Sequence, residues 1–154
     1  MTPEERLAEL GLEIPPPPAA AVSSYVPWTR VGDLVLTSGQ LPWRDGVMAY
    51  EGRLGAELTV EDGYEAAKLA ALNGIAQLSD AVGELFRIRR IVRVEGNVHS
   101  APGFHGQAQV LNGASDLLNA VFGERGRHTR TALGISEMPL NAAVQLSFFA
   151  EIEE

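Results

Sequence analysis

The chain contains no cysteine among its 154 residues, which excludes disulfides, thiolate metal ligands and a cysteine nucleophile. Lysine is almost absent as well, and 12 basic residues stand against 20 acidic ones, for a net charge of −8 at pH 7. So acidic a surface repels phosphate backbones, and nucleic-acid binding is therefore disfavoured. One local cluster of arginines departs from this acidic character. A position on the solvated edge or on an interface face of a strand would account for these residues, which are Arg87, Arg89, Arg90 and Arg93.

The sequence also lacks a basic leader and a long apolar run. Residues 1–5 read Met-Thr-Pro-Glu-Glu, without the basic start and apolar stretch of a signal peptide, and no run approaches membrane-spanning length. We therefore expect a cytoplasmic protein with no membrane partner. The three histidines are not at metal-ligand spacing, and no phosphate-binding or dinucleotide motif occurs. We accordingly expect no metal and no cofactor.

The N-terminal part has a composition of its own. Residues 4–11 predict a short amphipathic helix, and the four prolines at 15–18 predict an extended polyproline spacer, because proline fits neither a helix interior nor a central strand. We assign residues 1–21 to an N-terminal appendage and residues 22–154 to a single domain. The appendage is expected to pack on that domain or on a neighbouring subunit.

Hydrophobic periodicity predicts the elements of the domain. A strand over 34–38 precedes a hairpin around 47–50 and a long helix over 60–82 capped by Gly83. A strand over 91–98 is followed by a helix through Val110 and Val121, ended by Gly123, and by strands over 130–136 and 143–152. Two helices can cover only one face of such a sheet, so the fold class is α+β.

Alternation along the strands assigns residues to the two faces of the sheet. Val92, Val94 and Val98 share one face, and Leu133 lies on the opposite face of its strand from Arg130. Gln145 is expected to face the same way as Arg130, on the adjacent strand. The uncovered face is thus predicted to mix polar groups with Phe149, a pattern that association with other subunits would bury.

Three segments together resemble the Rid/YjgF family, the reactive intermediate deaminases also known as endoribonuclease L-PSP proteins. They are Tyr25 with the run 31–42 around Ser38-Gly39-Gln40, Leu111-Asn112 on the second helix, and Arg130 with Met138-Pro139 before the closing strand. The resemblance covers residues 22–152. It implies a chorismate-mutase-like mixed sheet, a homotrimer with clefts between subunits, and hydrolysis of small enamine or imine acids to 2-keto acids.

The resemblance also implies the binding residues. Arg130 matches the arginine that holds the substrate carboxylate, and its planar guanidinium suits that ligand, although a salt bridge to a nearby acid is the alternative reading. The other matching positions are Tyr25, Ser38, Gly39 and Asn112, together with the backbone of Ala132. The expected partner is a small carboxylate, either a 2-keto acid or an imino acid.

One position departs from the family pattern. The final strand of the deaminases carries a glutamate that handles the catalytic water, and the matching residue here is Gln145. A glutamine can orient a water molecule but cannot accept its proton. His128, Glu137 and Glu95 are the other candidate bases in the sequence, although a solvated or paired side chain is the simpler reading of each.

Three functions follow from these features. The first is deamination of enamine and imine acids, with Gln145 orienting the water. The alternative is a non-catalytic protein that binds small carboxylic acids, which the glutamine favours. An endoribonuclease or translation inhibitor is the third, and the charge of −8 argues against it.

Overall fold

A computed structural model describes residues 1–19 and 24–153. Among them, a short helix α1 (Pro3–Glu9) precedes the first two strands, β1 (Trp28–Val31) and β2 (Leu34–Thr37), and a small separate hairpin. The remaining elements are β3 (Trp43–Arg44), β4 (Val47–Met48), α2 (Val60–Val82), β5 (Ile88–His99), α3 (Gln107–Phe122), β6 (Thr129–Ile135) and β7 (Val144–Ile152). The sequence therefore predicted each long element but missed β1.

The main sheet has five strands in the order β1-β2-β7-β5-β6, and β3 pairs only with β4. All neighbours in the main sheet are antiparallel except β5 and β6, which are parallel. Parallel strands need a crossover connection, and α3 supplies it. Since β5 lies between β6 and β7, the strands of Arg130 and Gln145 are not adjacent, and the expectation that they are neighbours was wrong.

The two long helices lie on one face of the sheet and enclose the core with it, as predicted for an α+β fold. Helix α2 begins at Thr59, whose side chain and that of Asp62 form reciprocal hydrogen bonds with each other's backbone N–H, and it ends at Gly83. At Gly74 the helix approaches the ring of Phe148 on β7 so closely that a side chain there would collide with it. Glycine thus sets the distance between α2 and the sheet.

The register corrects two predicted faces. Val92 is exposed instead of sharing the covered face with Val94 and Val98, because the pairing of β5 with β7 shifts between Ile91 and Arg93. A shift of this kind inserts an extra residue and removes it from the alternation. On β6, Leu133 is 59% exposed and lies on the uncovered face of the sheet.

Arg130 also lies on the face opposite to the predicted one. It is in register with Val94, which is fully buried under the helices, and paired residues of neighbouring strands point to the same side. Gln145 alternates with buried Val144 and Leu146 and so points to the uncovered side. The expectation that Gln145 faces the same way as Arg130 was therefore wrong.

The uncovered face mixes polar and apolar side chains, as the sequence predicted. Its residues differ in part from the predicted ones, because Arg130 is absent from this face and Leu133 is present. Leu36 is in register with Phe149, and Glu95 with Ser147, so apolar and polar pairs lie side by side on it. Leu133 extends this face at the β6 edge. Assembly into a trimer, which would bury the face, stays a prediction.

The helical part of the appendage packs against the domain. Leu7 is 2% exposed and belongs to the hydrophobic core, and the Glu4 carboxylate accepts a hydrogen bond of 2.8 Å from the backbone N–H of Leu85. Further along, the buried amide of Gln77 donates to the carbonyl of Pro18 at 2.6 Å. The appendage thus contacts its own domain, and contact with a neighbouring subunit stays a prediction. The boundary after residue 21 itself remains a prediction.

Within the described ranges, no helix has both the length and the apolar character needed to cross a bilayer.

Candidate functional site

The predicted site residues form two separate groups. Tyr25, Ser38, Gly39 and Gln145 line one cavity of about 260 Å³, and we call them the glutamine half-site. Arg130 and Asn112 lie at the β6 edge with two further residues, Ser115 and His128, beside a cavity of about 270 Å³. We call these four residues the arginine half-site.

Strand pairing builds the glutamine half-site. Gln40, just after β2, exchanges two backbone hydrogen bonds with Leu146 of β7 (2.6 and 2.9 Å), which brings Gly39 against the side chain of Gln145. Ser38 donates its backbone N–H to Pro27 and its hydroxyl to Val26, at 2.8 and 2.6 Å. These bonds hold the segment that carries Tyr25 at the cavity.

The side chains of this half-site are available to a ligand. Tyr25 is 56% exposed, and the amide of Gln145 forms no hydrogen bond with any other described residue. Trp43 and Leu140 complete the wall. Leu140 and Asn141 both have positive φ values, 60° and 57°, a conformation that non-glycine residues rarely adopt and that is often found at functional sites.

Helix α3 positions the guanidinium of Arg130. The Nη1 atom of Arg130 donates to the side-chain oxygen of Asn112 at 2.9 Å and to the hydroxyl of Ser115 at 3.1 Å. The Nη2 atom lies 3.4 Å from the carbonyl of Ala108. A guanidinium has five N–H donors, so three of them serve to fix its plane against the helix. Two donors remain for a ligand.

No carboxylate in the described part of the chain pairs with Arg130. The intramolecular salt bridge that was the alternative reading of this residue is thus not formed there. Arg127 lines the same cavity but lies 3.8 Å from the Glu124 carboxylate. Of the two arginines in this lining, Arg130 is therefore the one without a carboxylate partner among the described residues, and its charge can attract an anion.

The two half-sites do not face each other within one chain. Gln145 is in register with Asn97, and Asn97 with Leu133, three residues from Arg130. The Cα atoms of Gln145 and Arg130 are roughly 14 Å apart, because two strand spacings and three residues along β6 lie between them. Their side chains also point to opposite faces of the sheet. A small carboxylic acid of three carbons is too short to contact both side chains within one chain.

The other sequence candidates lie elsewhere. Glu137 and Glu95 are exposed, and Glu137 lines a different cavity with Arg53. Ala132 lies on β6, whose outer edge pairs with no strand of residues 1–19 and 24–153, so part of the β6 backbone stays available for other partners.

Sequence reasoning missed Ser115. It lies one helical turn after Asn112, on the same side of α3, and this spacing was the available clue. His128, one of the candidate bases named from the sequence, is two residues before Arg130, and its Nε2 lies 2.8 Å from the Ser115 hydroxyl. No group of three or more His, Cys, Asp or Glu side chains in the described residues could hold a metal ion.

Comparison with known proteins identifies relatives of this chain. The family model described as "YjgF/chorismate_mutase-like, putative endoribonuclease" matches residues 4–152. Protein TCP17 from Trypanosoma cruzi is 42% identical over 147 residues, which is 95% of this chain and 91% of that protein. A crystal structure from Shewanella oneidensis, described as that of a putative endoribonuclease, is 47% identical with a TM-score of 0.95, covering 99% of this chain and 100% of its own.

A more distant structure shares the fold. Escherichia coli TdcF, solved with bound serine, has a TM-score of 0.60 at 17% identity over 90% of this chain and 96% of its own. The family match spans nearly the whole chain, including most of the appendage, and the relatives match over almost their full lengths. The chain therefore belongs to the YjgF/chorismate-mutase-like family, as its resemblance to the Rid/YjgF proteins indicated.

Proposed function

We propose that this protein hydrolyses small enamine or imine acids to 2-keto acids and ammonia in clefts between the subunits of a homotrimer. The observation that carries the proposal is the hydrogen bonding of the Arg130 side chain. Its guanidinium is fixed by Asn112 and Ser115, has no carboxylate partner among the described residues, and keeps two N–H donors for a ligand. A planar fork held in this way suits a carboxylate.

The separation of the half-sites supports a cleft shared by subunits. A contact that joins the arginine half-site of one copy to the glutamine half-site of another uses two different surfaces, and head-to-tail contacts of this kind form a ring when the rotation between copies closes. The family resemblance implies a ring of three. The uncovered sheet face, with Leu36, Phe149 and Leu133, provides apolar area that such a ring would bury.

The chemistry requires little beyond positioning. An imine carbon is already electrophilic, so a fixed carboxylate and an oriented water supply much of what hydrolysis needs. The unpaired amide of Gln145 can orient that water. The amino acid seen bound to TdcF is itself a small amino carboxylate, of the same chemical class as the ligand proposed here.

A second candidate function rests on Gln145 itself. An amide cannot take a proton from water, so a cleft that keeps Arg130 and has no other base would bind small carboxylic acids without turning them over. Both functions require the same carboxylate site. Turnover of imino acids separates them.

Calorimetric titration with pyruvate tests the carboxylate site. Arg130→Lys keeps the charge but loses the planar fork, and we expect binding to weaken by about 2 kcal/mol or more. Arg53→Lys is the matched control. Arg53 already forms two 3.1 Å hydrogen bonds to Glu57, which lower the pKa of that carboxyl, so its replacement should leave pyruvate affinity unchanged. Equal affinity in the wild type and Arg130→Lys would exclude Arg130 as the carboxylate-binding group.

A further inference from the structure

A chain of hydrogen bonds leads away from the carboxylate-binding arginine. Nη1 of Arg130 donates to the hydroxyl of Ser115 at 3.1 Å, and this hydroxyl lies 2.8 Å from Nε2 of His128. On the far side of the ring, Nδ1 of His128 lies 2.6 Å from the carbonyl of Gly126. Two residues outside the family's site pattern are thus connected to Arg130, Ser115 directly and His128 through Ser115.

The partners determine the direction of the bonds. A carbonyl oxygen only accepts, so Nδ1 of His128 carries a hydrogen and donates it to Gly126. In the neutral imidazole, Nε2 then carries the lone pair, and the hydroxyl of Ser115 donates to it. Arg130 cannot accept a hydrogen bond, so it donates to Ser115 in either protonation state of the histidine. The serine is therefore polarised from one side by a cation and from the other by a basic nitrogen.

The location suits proton transfer. Ser115, His128 and Arg130 line the cavity of the arginine half-site, which can take a ligand and a water. His128 is half-buried, and its ring is fixed at both nitrogens. A base oriented by a second hydrogen bond and joined to a hydroxyl is the arrangement that activates nucleophiles in many hydrolases. No carboxylate is needed for it.

We propose that Ser115 and His128 form a proton relay that supplies the acid–base function that Gln145 lacks. This inference rests on the proposed imine hydrolysis. A water beside Ser115 gives a proton to the serine oxygen while the serine proton passes to Nε2 of His128. The resulting hydroxide forms a C–O bond to the iminium carbon, and the C=N π electrons move to nitrogen, giving a carbinolamine.

The return of the proton completes the reaction. The imidazolium of His128 gives its proton back through Ser115 to the amine nitrogen. The C–N bond then breaks, ammonia leaves, and the hydroxyl oxygen forms the carbonyl of the 2-keto acid and loses its proton to ammonia. Water and the iminium acid thus become the keto acid and ammonium, and Ser115 and His128 regain their starting states.

The first test is His128→Asn. An asparagine amide can still donate to the Gly126 carbonyl but offers no basic nitrogen to Ser115, so the half-site should keep its shape. We expect hydrolysis of 2-iminopropionate to fall about 10²-fold or more, with pyruvate affinity unchanged. His105→Asn is the matched control, because His105 is exposed and lies outside both half-sites. It should hydrolyse at the wild-type rate.

Chemical rescue separates a proton-transfer role from a structural one. Added imidazole should restore hydrolysis to His128→Ala, since it can occupy the vacated space beside Ser115, and should not change the rate of the wild type. If His128→Asn hydrolyses like the wild type, or if imidazole restores nothing, the relay is wrong while imine hydrolysis stands. If the wild type itself binds pyruvate but hydrolyses no imino acid, both the relay and the proposed activity are overturned and the binding function remains.

Discussion

Gly39 lies directly against the side chain of Gln145. A Cβ atom built on Gly39 would be 2.5 Å from Nε2 and 2.6 Å from Cδ of Gln145, which is far inside van der Waals contact. The absence of a side chain at residue 39 therefore allows the amide of residue 145 to occupy its position in the cavity. The backbone at residue 39 and the side chain at residue 145 therefore constrain each other sterically.

Gly39→Ala should consequently impair function more than stability. The colliding atoms are the end of a flexible side chain, so Gln145 can move away, and the free energy of unfolding should change by less than about 1 kcal/mol. Imine hydrolysis should fall because the amide no longer orients the water. Thermal denaturation together with steady-state kinetics checks both parts, and an unchanged rate would show that Gln145 takes no part in turnover.

Gln145→Glu should add a proton acceptor at the same position. In a His128→Asn background, where the relay is broken, we expect hydrolysis to increase about 10²-fold or more. Gln145→Met in that background has a side chain of similar size without a base and should bring no increase. A double variant that folds and binds pyruvate but stays inactive would show that residue 145 does not reach the water.

The sequence assigned Leu133 and Arg130 to the wrong faces of β6. Leu133 is apolar, and periodicity therefore assigned it to the core side of β6, yet the core side carries Arg130 and Ala132. Alternation shows which residues share a face but not which face the helices cover. An apolar residue that serves contact between subunits has the same pattern as one in the core.

A related limit explains the error in the strand order. Whether β6 pairs with β5 or β7 depends on long-range contacts that no local pattern encodes, and the wrong neighbour placed Arg130 beside Gln145. The bulge at Val92 likewise arises from the pairing of β5 with β7. The helices were predicted closely because Thr59, Gly83 and Gly123 mark their ends locally.

The trimer prediction can be tested on the uncovered sheet face. Leu133→Asp puts a charge on a surface that assembly would bury, and a buried unpaired charge is costly, so native mass spectrometry should detect monomers in place of trimers. Leu10→Asp is the control, because Leu10 is similarly exposed, at 49%, on the appendage, and should stay trimeric. A wild type that is monomeric at micromolar concentration would contradict the trimer outright.

The appendage should stabilise the folded chain without taking part in the assembly of the trimer. Leu7→Ala removes a side chain from the core and should lower the free energy of unfolding by about 2–5 kcal/mol, whereas Leu10→Ala should change it by less than about 0.5 kcal/mol. Chemical denaturation measures both. Deletion of residues 1–20 should still leave a trimer in native mass spectrometry, and loss of assembly would show that the appendage joins subunits.

The most direct measurement is a crystal structure of the protein with pyruvate. The account predicts a trimer in which the pyruvate carboxylate accepts hydrogen bonds from the two remaining N–H donors of Arg130. Its keto carbon should lie between Ser115 of that subunit and Gln145 of the next. Pyruvate bound away from Arg130, or held by residues of one subunit alone, would contradict the shared cleft and with it the proposed function.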